Sequence, residues 1–213
     1  MAMETASTEL ASAADVEPTP VGYHTGRGSV LQHTRPNRQR RLSSDQIRML
    51  SRDLRVLIAT NGTLTRILCV VVDEEIGVQV IEQQIHPSAP KILQSEQLPS
   101  GRILQRNVVL KGRRSGRPYI AAETLAAIDF LPPTIVTSLV TTDRPIGELL
   151  VSASLETLKE LPEVWMGEHP SWGLPTGHAN SRLEAVGRRY RQFIGGQPVI
   201  TISEYFPLDV FSN

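Results

Sequence analysis

The 213-residue chain has one cysteine, ten aromatic side chains counted as two Trp, four Tyr and four Phe, and no net charge. One cysteine excludes an intrachain disulfide framework, and Cys69 sits inside ILCVVV, where it reads as a small buried hydrophobe. The 22 basic and 22 acidic residues cancel, so no whole-chain field draws nucleic acid or an anionic membrane. No apolar run approaches the roughly 18–20 residues of a membrane span. The first residues hold no signal-peptide apolar core, and we expect a cytoplasmic protein. C-x-x-C and H-E-x-x-H spacings are missing, and His86, His169 and His178 stand apart in loop-like stretches, which argues against zinc. GRGSV and GRRSG are glycine turns without the strand-and-helix context of a phosphate loop. Ser181 and Ser203 lack the setting of a nucleophile elbow. We expect no metal and no cofactor.

Residues 1–41 have few large apolar side chains among Ser, Thr, Pro, Gly and Arg, a composition that cannot offset chain entropy, so we expect a disordered leader. RPNRQRR within it reads as a solvated charge run. A single domain is expected over 42–213. Ser43 with Gln46 fits a capping box, Ile47, Leu50, Leu54, Leu57 and Ile58 form one helical stripe, and Asn61-Gly62 is a stop. TLTRIL adds a short helical turn before CVVV. Strands are expected over 76–86, 102–111 and 117–128, the last two joined by the hairpin loop GRRSG. Pro132-Pro133 opens a helix, and Asp143 is the candidate N-cap of another with Pro145 just inside it. LETLKELPEVW continues in helical character, GEHPSWGLPTGHANS is loop, and LEAVGRRYRQFI meets a closing strand through Gly195-Gly196. Hairpin-type joins between runs of strands indicate an α+β domain on a mainly antiparallel sheet.

Two charges stand out against this pattern. In GGQPVITISEYFP, side-chain alternation puts Ile200, Ile202, Glu204 and Phe206 on one strand face, so a carboxylate shares the apolar side. In RILQRNVVLK, Leu104, Arg106, Val108 and Leu110 share a face, so a guanidinium does the same. Buried charges need partners. Either Arg106 and Glu204 form a salt bridge that only sets strand register, or both line an internal cavity that takes a small anion. Alternation alone leaves both readings open. GRRYRQF interleaves basic and aromatic residues, but reads as a strand edge beside an anion site rather than a nucleic-acid platform.

ILQRNVVL followed by GRPYIAAETL, then RPIGELL, then GRRYRQFIGGQPVITISEYFP, resembles the chorismate pyruvate-lyase family over about residues 43–211. DLRVLIATNGTLTRIL and AAETLAAIDFLP are especially similar to the mycobacterial form, which makes 4-hydroxybenzoate for phenolic glycolipids. The resemblance implies a six-stranded antiparallel sheet with helical flaps that enclose an internal ligand. It implies cofactor-free conversion of chorismate to 4-hydroxybenzoate and pyruvate, with Arg106 and Glu204 as catalytic residues. Leu64 and Ile146 would then bind substrate through backbone amides, standing where the family has Met and Leu. Glu123 falls where the ubiquinone-type enzymes carry a basic residue, a departure that alters the pocket's charge. Arg188, Arg189 and Arg191 are the next candidates for an anion clamp. The implied partners are the small molecules alone, without nucleic acid or membrane, and a monomer is compatible with this, the oligomeric state being open. The same fold resembles the effector domain of certain bacterial transcription regulators, which is the rival reading; residues 1–42 are too short and polar for the DNA-binding domain that normally accompanies it.

Overall fold

The computed structural model describes residues 39–88, 98–174 and 183–211, which lie within one compact unit running over 35–213. The expected leader, apart from its last three residues, lies outside the described residues. Arg40–Arg41, inside that expected leader, form a short strand, β1. The expected capping box is present: Gln46 N donates to Ser43 Oγ at 3.3 Å and Ser43 N to Gln46 Oε1 at 3.0 Å, opening helix α1, Ser44–Arg48. The single helix expected here is two. Ser51 offers its own Oγ to Leu54 N at 3.3 Å and starts α2, Arg52–Ala59, because a serine side chain competes for the amides at a helix start.

Helix α3, Leu64–Val72, takes in the CVVV run beyond the expected turn. Its buried Leu64 and Leu68 pack with α2, and tertiary burial outweighs the strand preference of β-branched residues. The strands β2 (Ile76–His86), β3 (Ile103–Gly112) and β4 (Pro118–Ala127) follow as expected. Pro133 opens α4, Pro133–Thr141. Pro145, not Asp143, caps α5, Ile146–Ser152, so the helix starts later than its acidic candidate cap suggested. LETLKELPEVW is not helical. It forms β5, Leu158–Lys159, and β6, Glu163–Glu168, since Pro162 lacks an amide and disfavours helical geometry in the residue before it. Strands β7 (Glu184–Ile194) and β8 (Gln197–Pro207) are joined by Gly195 and Gly196 at φ +57° and +81°, the left-handed pair of a tight hairpin turn, and α6, Leu208–Phe211, ends the described chain.

All pairings are antiparallel, in the order β1-β6-β7-β8-β4-β3-β2, with β5 also on β7. Among the described residues the sheet has eight strands where six were expected, because the two-residue segments β1 and β5 add short ladders to β6 and β7. On one face, Leu110, Ile120, Val186 and Phe206 pack under α2 and α3. At the other end of the same face, Leu104, Ile200 and Ile202 pack under α4 and α5. No helix among the described residues is long and apolar enough to cross a membrane.

Candidate active site

Between these two apolar clusters runs a polar strip. Directly paired residues in an antiparallel ladder share a face, and two rows cross the sheet here. Arg106 on β3 pairs with Thr124 on β4, which pairs with Ile202 on β8, which pairs with Tyr190 on β7. One step along, Val108 pairs with Ala122, Ala122 with Glu204 and Glu204 with Arg188. Arg106, Glu204, Arg188 and Tyr190 therefore face the same way, and all are buried.

Arg106 and Glu204 do not pair with each other, so the register-fixing salt bridge between them is not the arrangement adopted. Arg106 donates from Nη1 to the Arg144 carbonyl at 2.9 Å and from Nη2 to the Thr142 carbonyl at 2.8 Å, both in the loop between α4 and α5. Its Nε is buried and has no acceptor. Burial pulls the Arg106 guanidinium below its ordinary value, with Asp143 opposing. It remains cationic, since an arginine starts far above neutrality.

Glu204 instead receives Arg188 Nε on Oε2 and the Tyr190 hydroxyl, at 3.2 Å, on Oε1. Burial lowers Arg188, but the touching Glu204 carboxylate more than reverses this and holds it above the usual arginine value. Burial, reinforced by Glu204, pushes the Tyr190 phenol well up, so it stays a donor. Lys159, half-buried on β5, reaches the Gly62 carbonyl at 3.1 Å and lies 5.2 Å from the Tyr190 ring centre. Burial lowers its pKa, with Glu204 pulling back.

Leu64 and Ile146 occupy equivalent places, each the first residue of a helix whose preceding cap makes no side-chain hydrogen bond. The two helix starts meet: Thr65 donates to Glu148 Oε1 at 3.3 Å, and Gly147 lies opposite Thr63. Glu123 is elsewhere. Its neighbours in sequence, Ala122 and Thr124, are on the site face, so it projects from the opposite one, where Gln105 Nε2 donates to it at 2.9 Å. Its charge does not enter the strip.

Arg188 is the residue the sequence reading left as an alternative. Alternation along β7 puts Val186, Arg188 and Tyr190 on one face, the signal already used for Arg106 and Glu204, and it would have added Arg188 to the charges on the inner face. Arg189 and Arg191 point away and pair with Glu163 and Glu160 at 2.7 Å. A pocket of about 370 Å³ lies apart from the strip, lined among others by Arg117, His169, Leu183 and Asp209. It contains none of the converging charges, and His169 Nδ1 is already engaged with the Pro170 carbonyl, so the strip is the stronger candidate.

A family model described as chorismate pyruvate-lyase Rv2949c-like matches residues 58–212, which include every residue of the strip. A Mycobacterium tuberculosis protein named chorismate pyruvate-lyase is 49% identical over 175 residues, covering 81% of this chain and 88% of its own. A Mycobacterium leprae protein of the same name is 52% identical over 174 residues, covering 82% and 83%. The crystal structure of PhnF from Mycobacterium smegmatis shares the fold, with a TM-score of 0.51 at 12% identity over 72% of this chain and 67% of that one.

Proposed function

The chain belongs to the Rv2949c-like chorismate pyruvate-lyase family, and from that premise we propose that it cleaves chorismate to 4-hydroxybenzoate and pyruvate in a cavity between the polar strip and its helical flaps. The observation that carries the site is the pair of buried, opposite charges, Arg106 and Glu204, which share a face without bonding to each other.

The chemistry suits them. The C4–H bond and the bond from C3 to the enolpyruvyl oxygen break, the ring becomes aromatic, and the released enolpyruvate takes a proton at its methylene to give pyruvate. Nothing is oxidised or reduced overall. Aromatisation drives the reaction, and the protein has to hold the substrate and manage charge. The ring carboxylate meets the free Nε–H of Arg106. Nη1 and Nη2 each keep one further N–H beside their bonds to Arg144 and Thr142, so the bidentate grip expected of Arg106 can form while the guanidinium still holds the α4–α5 loop. Binding is thereby coupled to the flap.

Backbone amides of Leu64 and Ile146, at the two uncapped helix starts, serve the remaining substrate oxygens. Glu204 accepts the C4 hydroxyl or receives the proton leaving C4, with Arg188 and Tyr190 fixing both of its oxygens. We assign the product to phenolic glycolipid assembly, on the similarity to the mycobacterial form. A coupled assay for pyruvate with purified protein, chorismate and no added metal or nucleotide tests the activity. Equimolar pyruvate and 4-hydroxybenzoate are expected, and no pyruvate release refutes it.

A further inference from the structure

Arg188 makes more bonds than the orientation of Glu204 requires. Nη1 donates to the carbonyls of Leu57 at 2.7 Å, Ile58 at 3.0 Å and Thr60 at 3.2 Å, acceptors that the C-terminal end of α2 leaves open. Nε is committed to Glu204. Nη2 has no acceptor, in a side chain only 1% exposed. A donor left unpaired on a fully buried cation is rare and calls for an explanation, of which an incoming ligand acceptor is one.

The substrate of the reaction proposed above supplies one. Chorismate has two carboxylates, one on the ring carbon para to C4 and one on the enolpyruvyl group at C3. With the ring carboxylate at Arg106 and the C4 hydroxyl at Glu204, the enolpyruvyl group projects from the carbon next to C4, at the Glu204 end. The guanidinium at that end is Arg188. Arg106 and Arg188 lie three strands apart, roughly 14 Å across the sheet, in neighbouring rows of the same face. Side chains rising from that face at those two places bracket one small ring with its substituents.

We propose that Arg188 is the second carboxylate anchor of this site: its free Nη2–H receives the enolpyruvyl carboxylate while Nε–H holds Glu204. The inference rests on the chorismate-cleaving reading and adds a consequence to it. Cleavage carries the second carboxylate away on pyruvate, so 4-hydroxybenzoate keeps Arg106 and loses Arg188. Arg188 then distinguishes substrate from product.

The test compares two ligands in two variants. Lysine keeps the charge at 188 but not the planar fork that serves Glu204, α2 and a ligand together. In Arg188→Lys, KM for chorismate should rise roughly ten-fold more than the dissociation constant of 4-hydroxybenzoate, measured by calorimetry, because the product loses only the orientation of Glu204 while the substrate loses the anchor as well. Arg106→Lys should weaken both ligands together. Equal weakening of both ligands in Arg188→Lys overturns the proposal and leaves Arg188 a purely structural residue. If Arg188→Lys does not fold, the wild-type protein decides. 3-Carboxymethoxy-4-hydroxybenzoate, which carries a second carboxylate on the ring position of the ether, should bind roughly ten-fold tighter than 4-hydroxybenzoate. Equal or weaker binding of the diacid overturns the anchor. The same comparison needs no turnover, so absence of pyruvate release would refute the activity while this result still decides the anchor.

Discussion

Glu204 carries two loads, and replacing it should expose both. In Glu204→Ala, Arg188 keeps its three carbonyls but loses its counter-charge, at a site 1% exposed. Breaking a buried pair by removing one partner costs about 3–5 kcal/mol. The retained carbonyl bonds place this case at the lower end, about 3 kcal/mol, which for a domain of this size lowers the melting temperature by about 6–12 °C. Glu204→Gln keeps an acceptor for Arg188 Nε and offers its amide to the Tyr190 hydroxyl, which can accept. It too leaves the Arg188 charge without its carboxylate, so its loss lies between the roughly 1 kcal/mol of a weakened hydrogen bond and the about 3 kcal/mol of Glu204→Ala. Urea unfolding at neutral pH, followed by far-ultraviolet circular dichroism, measures both. Turnover separates the second load: if Glu204 takes the C4 proton, Glu204→Gln lowers kcat by about 10²–10⁴ and leaves KM nearly unchanged. A Glu204→Ala protein within about 1 kcal/mol of wild type would refute the buried pair as the structural tie between β7 and β8. Arg188→Met combined with Glu204→Leu should recover much of the lost stability without activity, since an apolar pair leaves no charge stranded.

Tyr190→Phe removes one of the two donors on Glu204 and should cost about 0.5–1.5 kcal/mol of stability with a larger loss in kcat than in KM; unchanged kcat would mean that the phenol does not position the carboxylate. Glu74, outside the site, accepts from the Tyr119 and Ser115 hydroxyls, which hold its carboxyl at about 2 instead of 4.5. A depressed carboxyl contributes stability above its unfolded value and loses it as pH falls through the folded one, so the advantage of wild type over Glu74→Gln should shrink between about pH 4.5 and 2. Acid titrations of the two proteins that run parallel across that window would contradict this. A chain starting at Arg35 should retain wild-type kcat/KM, because the composition of the preceding residues cannot build a core and the family match begins at residue 58. Loss of most activity in a folded chain of that length would place part of the site before Arg35.

Strand periodicity was enough to read β2, β3, β4, β7 and β8 and the two charges on the sheet's inner face, because alternation is a local property of the backbone: Arg106 and Glu204 had to lie among Leu104, Val108, Ile202 and Phe206 whatever else the chain did. The capping box at Ser43 and the glycine turn at 195–196 were legible for the same reason, each depending on residues within four positions of one another. Assignment failed where packing decides. CVVV, left unassigned by the sequence, is helical because Leu64 and Leu68 bury against α2, and the residues around Lys159, expected helical, are extended because β7 pairs with them. Partnership was the other thing sequence could not supply. Opposite charges in two strands left a direct pair and a shared cavity both open, but the ladder places β7 beside β8 and β4 between β8 and β3, so Glu204 meets Arg188 while Arg106 is left to the carbonyls of a flap. Which charge meets which depends on strand order, a long-range choice made by how the whole chain buries its apolar faces, and only the folded arrangement expresses it.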